Sequence, residues 1–170
     1  MKKHIPNTIT SLNLLSGSIA TVMAFNGEYL WVVVWVIAAA IFDFCDGFSA
    51  RLLKAYSPMG KELDSLADVV SFGFAPSMTI FSFLSDNVDK ISSNPIICEY
   101  LPYFAFLIVI FSALRLAKFN IDTRQSESFI GLNTPANALF WISFIYGLTY
   151  KVPLITSSLV YVVLVGILVF

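Results

Sequence analysis

Residues 29–68 read YLWVVVWVIAAAIFDFCDGFSARLLKAYSPMGKELDSLAD. From Tyr29 to Phe42 no residue carries a charge, and the apolar character resumes between the acids and bases as far as Leu53. A bilayer crossing needs about 20 apolar residues as a helix. In lipid the backbone N–H and C=O groups must bond within the segment, which leaves a helix or a closed barrel. A barrel needs alternating segments of about 10 residues throughout, and the run Trp31 to Ile37 shows no such alternation. The stretch is therefore a membrane helix, a turn through Pro58 and the start of a second helix. Four aspartates, Asp43, Asp46, Asp64 and Asp68, stand where the two helices meet.

The rest of the 170 residues agrees with that reading. Apolar residues make up 58% of the chain and charged ones 12%, against about 45–50% and 25% in soluble domains. Mean hydropathy is +0.81. Six helices are expected, near 8–25, 29–54, 61–84, 99–118, 134–150 and 153–170, forming one all-α membrane bundle over 1–170. Lys2, Lys3, Arg51, Lys54, Lys61, Arg115, Lys118 and Arg124 fall on one side of that bundle, with Lys90 and Lys151 on the other. The bias predicts cytoplasmic termini and a cytoplasmic-membrane protein with its acids at the cytoplasmic face. Asp86 to Cys98 is then the longest outer loop, and Asn120 to Ser128 a polar inner one. The N-terminal basic segment lacks a clear cleavage site and is read as retained. The last residues, Gly166 to Phe170, are all apolar or small, so a truncated or bare final helix is the expectation. No internal repeat is visible. Cys45 and Cys98 show no metal-ligand spacing, and the net charge of -1 gives nucleic acid no basic patch.

The acids carry the chemistry. Asp43 and Asp46 are spaced i, i+3 and Asp64 and Asp68 i, i+4, so each pair shares a helix face. A hairpin of the two helices brings the pairs together. Four carboxylates converging in a low-dielectric bundle repel one another unless cations lie between them. Oxygen ligands select Mg²⁺, Mn²⁺ or Ca²⁺ over zinc, and two such ions suit phosphoryl transfer. Gly47 and Ala50 leave one flank of the helix open to a large ligand, with Arg51 placed to bind a phosphate. The competing readings are solvated acids at helix ends, acids paired with Arg51, Lys54 and Lys61, and a divalent-cation transporter. Transport calls for acids spread through the membrane depth, whereas acids inside spans that cluster at one interface favour a reaction site.

The string Asp43 to Asp68 resembles the signature of the CDP-alcohol phosphotransferase family, DxxDGxxARx8GxxxDxxxD, at every fixed position. The resemblance implies a six-helix core that transfers a substituted phosphoryl group from a CDP-linked donor to an alcohol and releases CMP. It implies two divalent cations, Mg²⁺ or Mn²⁺, on Asp43, Asp46, Asp64 and Asp68, with Asp68 also the general base. It implies a CDP site lined by Gly47, Ala50, Arg51 and Gly60.

Further segments resemble the phosphatidylserine synthase branch of that family: Ile5-Pro6-Asn7-Thr8-Ile9-Thr10 near the start, Ser71-Phe72-Gly73-Phe74-Ala75-Pro76 after the signature, Leu114 to Asn120, and Phe129 to Ala136. Lys118 and Asn133 depart from the branch pattern, which has arginine and proline there. Asn7 and Thr10 join the candidate CDP site, with a rival role in starting and capping the first helix. The implied reaction moves a phosphatidyl group from CDP-diacylglycerol to L-serine at the membrane surface; other acceptors within the family are glycerol 3-phosphate and inositol phosphate. A serine pocket needs a cation and small polar groups beside Asp68, and Ser71, Arg115 and Asn120 are the candidates. Close helix packing is the rival role for Ser71, and snorkelling to the interface for Arg115. The sixteen phenylalanines and three tryptophans are assigned to lipid contact and packing, and His4 to the anionic lipid surface. The sequence leaves room for a homodimer.

Overall fold

A computed structural model describes residues 4–90, 93–121 and 133–151. Helix α1 (His4–Phe25) is joined by a tight turn to α2 (Tyr29–Leu53). The third crossing combines α3 (Pro58–Asp68), a wide π-helical turn (Val69–Phe74) and α4 (Ala75–Asn87). A short 3₁₀ turn (Val88–Lys90) follows. The fourth crossing combines α5 (Pro95–Tyr100), a 3₁₀ segment (Leu101–Phe106) and α6 (Leu107–Ile121). Helix α7 (Thr134–Lys151) completes the described chain. The result is a polytopic helical membrane protein. Among the described residues, four helices, His4–Phe25, Tyr29–Leu53, Pro58–Asn87 and Pro95–Ile121, are long and apolar enough to cross a bilayer. The expected helix 153–170, the loop residues 122–128, Gly131 and Leu132, and Lys2, Lys3 and Arg124 lie outside the described residues, as do the side chains of Lys90 and Lys151.

Local chemistry explains the boundaries. Gly27, at φ +73°, adopts the left-handed conformation that lets α1 end, and the N–H groups of Gly27 and Glu28 close on Ala24 and Met23 carbonyls. The third helix starts earlier than the expected residue 61. Pro58 occupies its first turn, where a missing N–H costs nothing, and Ser57 Oγ caps it by accepting from the Gly60 N–H at 3.0 Å. Asn94 and Pro95 start α5 in the same way, so the outer loop is shorter than Asp86 to Cys98.

Packing places α1 at the hinge of the site. Its buried face, Pro6, Thr10, Asn13, Ser16, Gly17, Ala20 and Ala24, contains no large apolar side chain. Small residues let neighbouring backbones approach closely, the main source of helix association in lipid. Helix α1 accordingly packs extensively on α2 and also on α3, the π-turn and α4, while α2 and α3 touch each other little. The hairpin expected between α2 and α3 is thus held through α1, and space remains between its arms. One apolar cluster lies beside α1, with Val36, Ala39, Phe72 and Ile142; another, with Ile80, Leu84, Trp141 and Ile145, ties α4 to α7. Large apolar residues such as Leu15, Ile41, Phe44 and Phe111 stay exposed, as lipid-facing positions do.

Candidate active site

Asp43 on α2 and Asp64 and Asp68 on α3 each bring one carboxylate oxygen to within 4.8 Å of the others. Oxygen ligands sit roughly 2.0–2.6 Å from Mg²⁺ or Ca²⁺, so oxygens at such separations can share one ion. One oxygen of Asp64, Oδ1, is buried with no hydrogen-bond partner among the described residues. An unpaired buried carboxylate oxygen is costly, and a cation is the partner that best suits it. The donor set contains oxygen only, which fits a hard divalent ion. Arg51 and Lys61, the basic side chains nearest in sequence, turn to backbone carbonyls instead: Arg51 Nε donates to Gly47 O at 3.1 Å and Lys61 Nζ to Asn120 O at 3.0 Å.

Asp46 stands beside the trio. It is buried, and its Oδ2 accepts from Thr10 Oγ1 at 2.6 Å. Thr10 was expected either at a CDP site or as part of a helix start; it lies inside α1 with its hydroxyl on this aspartate. Asn13, one turn farther along α1, donates from Nδ2 to Asp68 Oδ1 at 3.3 Å.

Two cavities flank the acids. The first, of about 700 Å³, is lined by all six residues expected at the CDP site: Asn7, Thr10, Gly47, Ala50, Arg51 and Gly60. Gly47 faces open space, its nearest neighbour being Arg51 Nη2 at 3.9 Å from where a Cβ would stand. A Cβ on Gly60 would come within 3.0 Å of Asn7 Oδ1 and Ser57 Oγ. The second cavity, of about 640 Å³, is lined by Asp43, Asp68, Arg115, Asn120 and Thr134 among others. Asp64 and Lys61 line both. The two cavities are therefore neighbours across Lys61 and Asp64, and the second also takes in Asp43 and Asp68.

Of the acceptor candidates, the second cavity gathers Arg115 and Asn120 and leaves Ser71 out. Arg115 Nη2 is buried and unpartnered among the described residues, the opposite of a snorkelling arginine. Asn120 Nδ2 donates to Ser65 Oγ at 2.8 Å. Ser71 is fully buried in the π-turn, donating to Asn13 O at 3.0 Å, with Gly17 directly against it. Its place is helix packing. The sequence assigns Asn13 and Ser65 no role at the site, and Lys61 only that of an ion-pair partner for the acids. Its i, i+3 spacing from Thr10, which puts both on one helix face, was the signal available for Asn13.

A sequence model described as CDP-alcohol phosphatidyltransferase matches residues 3–169. The chain belongs to the CDP-alcohol phosphatidyltransferase family. Among curated members of that family, a Helicobacter pylori protein named CDP-diacylglycerol–serine O-phosphatidyltransferase is 38% identical over 136 residues, covering 79% of this chain and 54% of its own length. A Bacillus subtilis protein of the same name is 37% identical over 145 residues, with 84% and 77% covered. The archaetidylserine synthase of Methanothermobacter thermautotrophicus is 32% identical over 143 residues, with 82% and 57% covered. The chain spans about half the length of the Helicobacter pylori relatives. Of the four aspartates in the segment that resembles the family signature, the fold draws Asp43, Asp64 and Asp68 together.

Proposed function

We propose that this protein transfers a phosphatidyl group from CDP-diacylglycerol to L-serine, forming phosphatidylserine and CMP at the cytoplasmic face of a membrane. The observation that carries the reading is the carboxylate trio Asp43, Asp64 and Asp68, with Asp64 lining both cavities. The names of the relatives supply the donor and acceptor classes. Two divalent cations, Mg²⁺ or Mn²⁺, held by Asp43, Asp46, Asp64 and Asp68, supply charge neutralisation for the pyrophosphate when bound.

The chain's own residues do the rest. The first cavity takes the CDP moiety: Gly47 leaves the backbone of α2 open to it, and Arg51 faces its phosphates. The diacylglycerol tails stay in lipid beside the exposed apolar flanks. Serine enters the second cavity, where the Arg115 guanidinium, with Nη2 unpartnered among the described residues, pairs with its carboxylate. Its hydroxyl oxygen attacks the lipid-bearing phosphorus, the bond to the CMP oxygen breaks, and the hydroxyl proton passes to Asp68. Holding both reactants at one metal-lined junction converts a bimolecular encounter into an aligned displacement.

Supplying the purified chain with CDP-diacylglycerol and Mn²⁺, then offering L-serine, glycerol 3-phosphate or inositol phosphate while following CMP, tests the acceptor. Serine is expected to drive CMP release at least tenfold faster than either phosphorylated alcohol. Faster release with glycerol 3-phosphate would reassign the acceptor, and Mn²⁺ uptake into proteoliposomes without any CMP would replace the enzyme by a transporter.

A further inference from the structure

Helix α1 contributes to the aspartate cluster without supplying an acid. Thr10 and Asn13 are spaced i, i+3 on its buried face and reach different members of the cluster, Thr10 to Asp46 and Asn13 to Asp68. Asn13 is held on two levels. Its side chain donates to Asp68 Oδ1, and its carbonyl accepts from Ser71 Oγ in the turn that follows Asp68. Gly17, one turn on, lets the backbone of Ser71 come against α1.

The side chain is fully buried, yet its Oδ1 has no partner among the described residues. A buried acceptor left unpaired costs about 1–3 kcal/mol. A leucine or alanine would avoid that cost in this small-residue interface. The amide therefore serves something other than stability, and its one side-chain bond among the described residues goes to Asp68 of the carboxylate trio.

We propose that Asn13 is a positioning residue: by donating to Asp68 Oδ1 it fixes the rotation of that carboxylate, so that the other oxygen faces Asp43 and Asp64. The idea rests on the proposed reaction for its kinetic part only. Partners that orient metal-ligating side chains typically contribute 10–100-fold in metal affinity or activity.

The test compares wild type with Asn13→Leu, and with Asn13→Ala should the leucine variant fail to fold; both lack the donor. Ser16→Ala is the control, because Ser16 is buried on the same helix but, among the described residues, its hydroxyl bonds only to Leu12 O. Mn²⁺ binding is followed by electron paramagnetic resonance and CMP release by initial rates. The Asn13 variants should bind Mn²⁺ about tenfold more weakly and lose about 10–100-fold in kcat, while KM for CDP-diacylglycerol stays within twofold. Ser16→Ala should match wild type in both. Mn²⁺ affinity within twofold of wild type in an Asn13 variant, or an equal loss in Ser16→Ala, would overturn the proposal. If wild type releases no CMP with any acceptor, the proposed reaction fails, and the Mn²⁺ measurement still decides the role of Asn13.

Discussion

Asp68→Asn is expected to lower kcat for serine-dependent CMP release at least about 1000-fold, within the range that a positioned general base contributes. The substitution keeps the shape of the side chain, and Asp43 and Asp64 remain to hold an ion. Mn²⁺ binding should weaken but persist. The separation of the two effects is what identifies the residue as the proton acceptor rather than a ligand alone. Asp68 is one turn beyond Asp64, lines the second cavity and is almost wholly buried. Asp64, by contrast, lines both cavities, so its loss should reduce metal binding and turnover together. A folded Asp68→Asn variant with near-normal turnover would remove Asp68 as the base.

The second large effect is structural. In Gly17→Val the new Cβ would fall on Ser71, overlapping its Oγ and standing 2.5 Å from its Cα. A side chain can rotate away, but a backbone atom cannot, so α1 must separate from the π-turn. Overpacking usually costs about 1–3 kcal/mol, and here the upper end or more is expected. At roughly 2–4 °C per kcal/mol for a chain of this size, melting should fall by about 6–12 °C. Gly147→Ala is the contrast: nothing lies within 4 Å of a Cβ there, so its melting should stay at wild type or rise slightly. A Gly17→Val protein as stable as wild type would mean that α1 does not pack as described.

The aspartates were legible in the sequence because their chemistry is expensive in lipid. Asp43, Asp46, Asp64 and Asp68 within apolar runs had to share a cavity, and helical spacing alone put each pair on one face. Arg51, Gly47 and Gly60 followed from the same segment. What the sequence did not show was how the pairs are brought together. Sequential adjacency suggested a closed hairpin of α2 and α3, whereas the small-residue face of α1 packs on both and leaves room between them. Small residues advertise close approach but not which neighbour approaches.

Ser71 illustrates a second limit. Three residues beyond Asp68, it would share that residue's face on a regular α-helix. The turn from Val69 to Phe74 is wound i→i+5, which rotates the chain less per residue. Ser71 consequently meets Asn13 and Gly17 instead of the cavity. Nothing in the string VVSFGF distinguishes a π-turn from an α-turn. Arg115, for which the sequence left both snorkelling and serine binding open, lines the second cavity with its Nη2 buried and unpartnered among the described residues.

Equilibrium Mn²⁺ binding to the purified chain, compared with Asp64→Asn, tests the shared-cation junction most directly. Wild type should hold Mn²⁺ at least tenfold more tightly than the variant, and adding CDP-diacylglycerol should change the resonance of the bound ion. Equal Mn²⁺ affinity in both proteins, with a signal indifferent to the nucleotide lipid, would contradict a metal gripped between the two cavities.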